Sequence, residues 1–296
     1  MTHPVQSLST SAQQARNPVY RARLMRHRFG IFLSSCAMVF GLFFLFWILL
    51  TLFVKGFGAI NLDILSQPTP APGEDGGGLA NALLGSALLV GFATLFATPV
   101  GILAGVYLAE FGERNRFADV TRFVTDIMLS APSIVIGVFV YIIYVLQVKH
   151  YSGWAGTLAL SLIAVPVVMR TTDNMLALVP TSLREAAFAL GAPRWKVALF
   201  IRVKAVRAGI LTGVLLAVAR ISGETAPLMY TALNNQFFST DMNRPIANLP
   251  LVIYQFAMSP YDHWREIAWA GALLMTLAVL ALNIISRTAF AQKNPN

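Results

Sequence analysis

Apolar blocks recur along this chain between short polar connections, and six of them approach or exceed the roughly 20 residues needed to cross a hydrocarbon core. They run over Phe29–Val54, Leu79–Ala109, Phe123–Gln147, Gly153–Met169, Ala208–Ala232 and Ile267–Ser286. The first is longer than the apolar core of a secretory signal, about 7–15 residues, and reads as a retained helix. Lys55–Gly78 follows it, and its three prolines and Gly76–Gly78 triplet predict an exposed loop. Pro99 is expected to kink the second span or turn its direction, and Pro132 to interrupt the third. Gly101 and Gly105, then Gly209 and Gly213, repeat at four-residue spacing, a face that lets helices approach closely. A polar loop from Leu233 to Arg265 precedes the sixth span. The pattern predicts an all-α, polytopic membrane protein with six transmembrane helices. Residues 1–28 form a basic tail expected to be disordered, 29–78 the first helix and its loop, 79–286 the core, and 287–296 a second tail.

Composition agrees. With 56% hydrophobic and 12% charged residues in 296, there is too little polar surface to cover a soluble globule. The formal charge of +9 does not signal nucleic acid, because the basic residues are spread over several connections. Seventeen lysines and arginines fall in alternate connections on one side, and four, Lys55, Lys149, Arg244 and Arg265, on the other. This asymmetry places both termini and the long connection from Arg170 to Arg207 in the cytoplasm. Cys36 stands alone in an apolar run, so no disulfide within the chain is possible. His3, His27, His150 and His263 have no metal-ligand spacing, and no phosphate-cradling glycine loop is present, so the chain binds no cofactor of its own and is not expected to hydrolyse ATP. No nucleophile, metal cluster or carboxylate pair stands at a plausible active site, which leaves a membrane enzyme the weakest reading.

The long cytoplasmic connection carries the most specific pattern. Ser182 and, three residues on, Glu185 have capping-box spacing, which predicts a helix beginning near Leu183. Gly191 suits the left-handed residue that closes a helix, and Pro193 suits the first turn of the next. The result is a helix-turn-helix hairpin over 181–204. Ala186 and Ala187 leave room for close approach of a partner, and Arg184, Arg194, Lys196, Arg202 and Lys204 surround it with positive charge. On spacing alone, a basic loop anchored to anionic lipid is an equal reading.

Glu185-Ala186-Ala187, Gly191 and Ile201 resemble the EAA signature of ABC importer permeases, the MetI-like type I transmembrane domains, although the exit reads Ile201-Arg202-Val203-Lys204 in place of the usual Ile-x-Leu-Pro. Ala219–Leu228, Gln236–Met242 and Pro245–Pro250 resemble the A-type permeases of phosphate-specific importers. The resemblance runs from about Leu79 to the C-terminal end and is weaker over the first 78 residues. It implies a subunit of the bacterial inner membrane that moves inorganic phosphate from periplasm to cytoplasm, with Glu185, Ala186, Ala187 and Gly191 docking into an ATPase. The implied partners are a C-type permease subunit, two ABC ATPase subunits holding ATP and Mg, and a periplasmic phosphate-binding protein that could touch the loop from Leu233 to Arg265. Membrane lipid surrounds the spans. Import of sulfate or molybdate, and a scaffold that senses phosphate, remain alternatives.

One pair of charges lies within a span. Arg220 is 12 residues into the fifth block, near mid-bilayer if the helix is continuous, and Glu224 is one turn further along, in reach of it. A charge at that depth needs a partner or a wet cavity. Either the pair neutralises itself and packs the helix, or Arg220 faces the translocation pathway, where its planar fork of donors suits an oxyanion. Gly223 and Pro227 loosen the backbone beside it. At the cytoplasmic end of the fourth span, Arg170 and Asp173 form either an exit gate or a pair of interfacial anchors.

Overall fold

In a computed structural model that describes residues 18–74, 76–112 and 115–289, the backbone of these residues is helical with connecting turns and contains no strand. Two units separate, Met1–Val54 and Lys55–Asn296. The first consists of most of α1 (Pro18–Ala59), so helix begins inside the stretch expected as a tail. Residues 1–17 and 290–296, where the remaining tail expectations fall, lie outside the described residues. Every apolar side chain of α1 from Phe29 to Leu50 is exposed, and Cys36 with them.

The second unit is built on α6 (Gly153–Ala177), the most buried of the long helices. Two glycine pairs let neighbours reach its backbone. On α3 (Ala80–Phe111), a Cβ at Gly101 would lie 2.7 Å from Val168 Cβ and one at Gly105 2.7 Å from the Met169 carbonyl oxygen. On α9 (Arg207–Ser222), Gly209 and Gly213 meet Met175 and Thr171 in the same way. Both small-residue faces predicted by spacing therefore pack on one helix. Leu89, Leu160, Ala164, Val168, Val214 and Ile221 fill the core between the three. Helix α3 continues through Pro99 without a break.

Among the described residues four helices are long and apolar enough to cross a membrane: α1, α3, α6 and α12 (Asp262–Ala289). The third predicted span is bent, and the fifth starts beside a bend and ends as a helix at Ser222. Helix α4 (Arg116–Ser130) meets α5 (Ser133–Val140) at 105° across Ala131-Pro132, and α5 continues through a π-helical turn (Tyr141–Val145) to Val148. The residue before a proline is driven out of the helical region, and Ala131 is extended at φ −67°, ψ 139°. The helical segment α8 (Arg194–Ala205) meets α9 at 75°. Counting each bent pair as one crossing restores six.

The two long polar loops are more ordered than their composition suggests. Helix α2 (Leu62–Ser66) is capped by Asn61. Thr69 is buried beside Asn81, whose side-chain amide donates to Thr69 Oγ1 at 3.0 Å and to the Asn235 carbonyl at 2.9 Å, joining the first loop to the second. In the second loop, Asn248 caps α11 (Leu249–Ala257) and also donates to the Leu233 carbonyl.

Candidate functional site

The cytoplasmic connection forms the predicted hairpin by a different start. Helix α7 (Thr181–Ala189) begins two residues earlier than expected, after Pro180, and no side chain caps it. The Ser182–Glu185 capping box is not made, because Pro180 fixes the start and leaves Ser182 inside the helix and exposed. The exit is as predicted. Gly191 has φ +77°, its N–H donates to the Phe188 carbonyl, and Ala192 N–H donates to that of Ala187, the two bonds of a Schellman cap. Glu185 and Ala186 are exposed and Ala187 is buried against the hairpin. Leu190 projects at the tip with 89% of its surface open, flanked by Phe188 and Trp195.

The charged pair does not form. Helix α9 ends at Ser222 and Gly223 closes it, so Arg220 stands in its last turn and Glu224 lies beyond the helix, where four-residue spacing no longer aligns the two side chains. Neither side chain has a hydrogen bond or ion-pair partner among the described residues. The negative end of the helix favours a cation there. Short helix α10 (Ala226–Met229) follows, and Pro227 packs so closely on α5 that a Cβ at Gly137 would sit 2.5 Å from Pro227 Cα. Gly223 and Thr225 line a cavity of about 470 Å³ between α9, α11 and α12; Arg220, Glu224 and Pro227 are not among its walls. Arg170 and Asp173 do not pair with each other. Arg170 Nε lies 3.8 Å from Asp126, and Asp173 lies 3.2 Å from Arg122, so both residues tie α6 to α4. Their three-residue spacing on α6 would have allowed the two to meet, but each side chain reaches α4 instead.

Residues 97–293 match the family of binding-protein-dependent transport system inner membrane components. A phosphate transport system permease protein PstA of Pasteurella multocida is 59% identical over 278 residues, covering 94% of this chain and 99% of its own. The protein of the same name in Haemophilus influenzae is 60% identical, covering 88% and 92%. The chain belongs to the PstA permease family. Among solved structures, the MetNI methionine ABC transporter in its inward-facing form shares the fold with TM-score 0.56 at 18% identity, over 71% of this chain and 91% of that one. A bacterial alginate ABC transporter, solved with an alginate-bound periplasmic protein, gives TM-score 0.61 at 12% identity, over 92% and 98%.

Two arginines of this PstA-family chain, inconspicuous in the sequence, tie helix ends together, and one of them, Arg202, anchors the hairpin. Arg202 lies at the end of a π-helical turn (Val197–Arg202) that follows Arg194–Lys196, and the altered exit of the EAA signature is the one signal that marks it. Its side chain is 8% exposed, pairs with Glu110 of α3, itself 9% exposed, and donates to the Leu176 carbonyl at the end of α6 at 2.7 Å. Nothing in the linear sequence links positions 92 apart. Arg122 makes the parallel connection from α4, donating to the Leu108 carbonyl and to Asp173. On the opposite side, Met242 and Ile246–Pro250 are buried, and the backbone from Met242 to Arg244 is held on the start of α6. The Pro245–Pro250 run is thus an internal brace, whereas Asp241, Asn243 and Arg244 just before it are exposed.

Proposed function

We propose that this chain is the membrane-spanning permease subunit of an ATP-driven importer and carries inorganic phosphate inward across the cytoplasmic membrane. The observation that carries the anion is Arg220, a guanidinium without a partner among the described residues at the broken end of a span, beside relatives named for phosphate transport. A planar fork of donors suits a tetrahedral oxyanion. Hydrogen phosphate also bears an O–H that a carboxylate accepts, and sulfate bears none; Glu224, four residues on, is a carboxylate available for that role. Discrimination by a required hydrogen bond exceeds that available from size alone.

Movement follows from the connectivity. The hairpin at Glu185, Ala186, Ala187 and Gly191 docks into an ATPase subunit, which holds ATP and Mg. Force on it passes through the π-helical turn and the 75° bend into α9, a rod of about 24 Å with Arg220 near its far end. Tilting that rod presents Arg220 to one side of the membrane and then the other. Arg170, paired with Asp126 where α6 meets α4, lies beside the exit. A single cation makes a poor selective site, so a C-type permease partner supplies further charges. A periplasmic phosphate-binding protein delivers the anion on the side of Asp241 and Arg244, and the basic connections, with both termini, face the cytoplasm.

The test is labelled-phosphate uptake by vesicles holding the full set of subunits, with sulfate or molybdate in large excess. Uptake is expected to persist. Its suppression by sulfate would overturn phosphate as the cargo.

A further inference from the structure

A groove of about 540 Å³ lies between the end of α1 and the start of α12, lined by Lys55, Gly58, Ala59, Asp262, Arg265, Glu266 and Trp269. Its walls are fixed at close range. A Cβ on Gly56 would lie 2.7 Å from Leu273 Cβ and 2.9 Å from the Trp269 carbonyl oxygen, so the two helices touch backbone to backbone just below the groove. Asp262, Arg265, Glu266 and Trp269 share one face of α12 by their three- and four-residue spacing.

Depth and charge define what fits there. Lys55 follows the uncharged run Phe29–Val54, and Glu266 precedes the uncharged run Ile267–Ser286. The groove therefore lies where two hydrocarbon-crossing stretches end, at the level of lipid headgroups. Trp269 is the interfacial aromatic of that level. Both signs of charge line the space. Arg265 pairs with Asp262, and His263 lies 3.8 Å from Glu266. The Lys55 ammonium sits 5.1 Å from the centre of the Trp269 ring and makes no ion pair among the described residues, although two carboxylates line the same groove. It is held by the indole and left open toward the groove.

We propose that this groove binds the headgroup of a zwitterionic phospholipid of the phosphatidylethanolamine class, with Lys55 and Arg265 on the phosphodiester and Glu266 on the ammonium. An anionic headgroup without an amine would engage the cations but offer nothing to Glu266, whose one ion-pair partner among the described residues is His263. The proposal rests on the chain spanning a bilayer and is independent of the anion it transports, so its failure leaves the transport reading untouched.

The complete permease complex, stripped of lipid and offered phosphatidylethanolamine or phosphatidylglycerol in mixed micelles, is weighed intact by native mass spectrometry, which counts only assembled complexes. Phosphatidylethanolamine is expected to be retained about tenfold over phosphatidylglycerol, the effect of one charge-assisted hydrogen bond. Lys55→Gln lowers retention of both lipids, and Glu266→Gln removes the preference between them. Equal retention by the wild type, or an undiminished preference in Glu266→Gln, overturns the assignment. Displacement of the lipid by inorganic phosphate alone would make the site one for free phosphate, and overturn it equally.

Discussion

A guanidinium buried at a helix junction is tolerated only when its donors are answered, and Arg202 finds partners on two spans. Glu110 neutralises it from α3, and the Leu176 carbonyl in the last turn of α6 accepts from it as well as from Val179 N–H. Removing one partner of such a pair strands a charge, which costs about 3–5 kcal/mol, whereas replacing both with apolar groups of similar volume is near neutral. Glu110→Ala is therefore expected to lower the thermal midpoint of the purified complex sharply, and Glu110→Leu combined with Arg202→Met to recover most of it. A double variant no better than the single one would show that the pair does more than compensate its own burial. Neither residue was legible as a partner of the other. Arg202 reads as one more surface cation in a basic connection until the π-helical turn rotates it inward.

At the scale of elements, the hairpin was legible in its closing half and not in its opening. Gly191 announces a left-handed closure because no other residue adopts that conformation freely, and the Schellman bonds follow from it. Ser182 and Glu185 have capping spacing, but Pro180 starts the helix two residues sooner, and a local pattern cannot reveal which of two competing starts prevails. A Cβ at Gly191 would meet open space, so a substitution there acts through backbone strain alone. Forcing a β-branched residue into the left-handed region costs about 1–2 kcal/mol. Gly191→Val is expected to reshape the tip that carries Leu190 and to lower phosphate moved per ATP hydrolysed, with Gly191→Asn close to wild type. An unchanged ratio in Gly191→Val would show that the tip does not transmit force. The broken spans follow the same division. Pro132 marked one break in advance, while the end of α9 at Ser222 was hidden inside an apolar run that continues to Ala232.

Across the whole molecule, the architecture was legible because hydrophobic runs, small-residue faces and the distribution of cations all report on a bilayer. The glycine pairs on α3 and α9 pack closely as their spacing implied, and both do so on α6. Loop order was not legible, since Asn81, Thr69 and Asn248 act through contacts between distant segments that composition does not encode. The charged pair was misread for a related reason. Its i,i+4 spacing assumed a helix that in fact ends between the two residues, and the break leaves Arg220 unpaired among the described residues. That unanswered guanidinium is the centre of the functional account. The measurement that tests it most directly is labelled-phosphate uptake by the assembled transporter carrying Arg220→Gln, with ATP hydrolysis followed in the same preparation. The account predicts that uptake falls by about tenfold or more while the complex assembles and still hydrolyses ATP, the loss expected when one charge-assisted contact to the anion is removed. Full uptake in that variant would contradict it and return Arg220 to a role in packing.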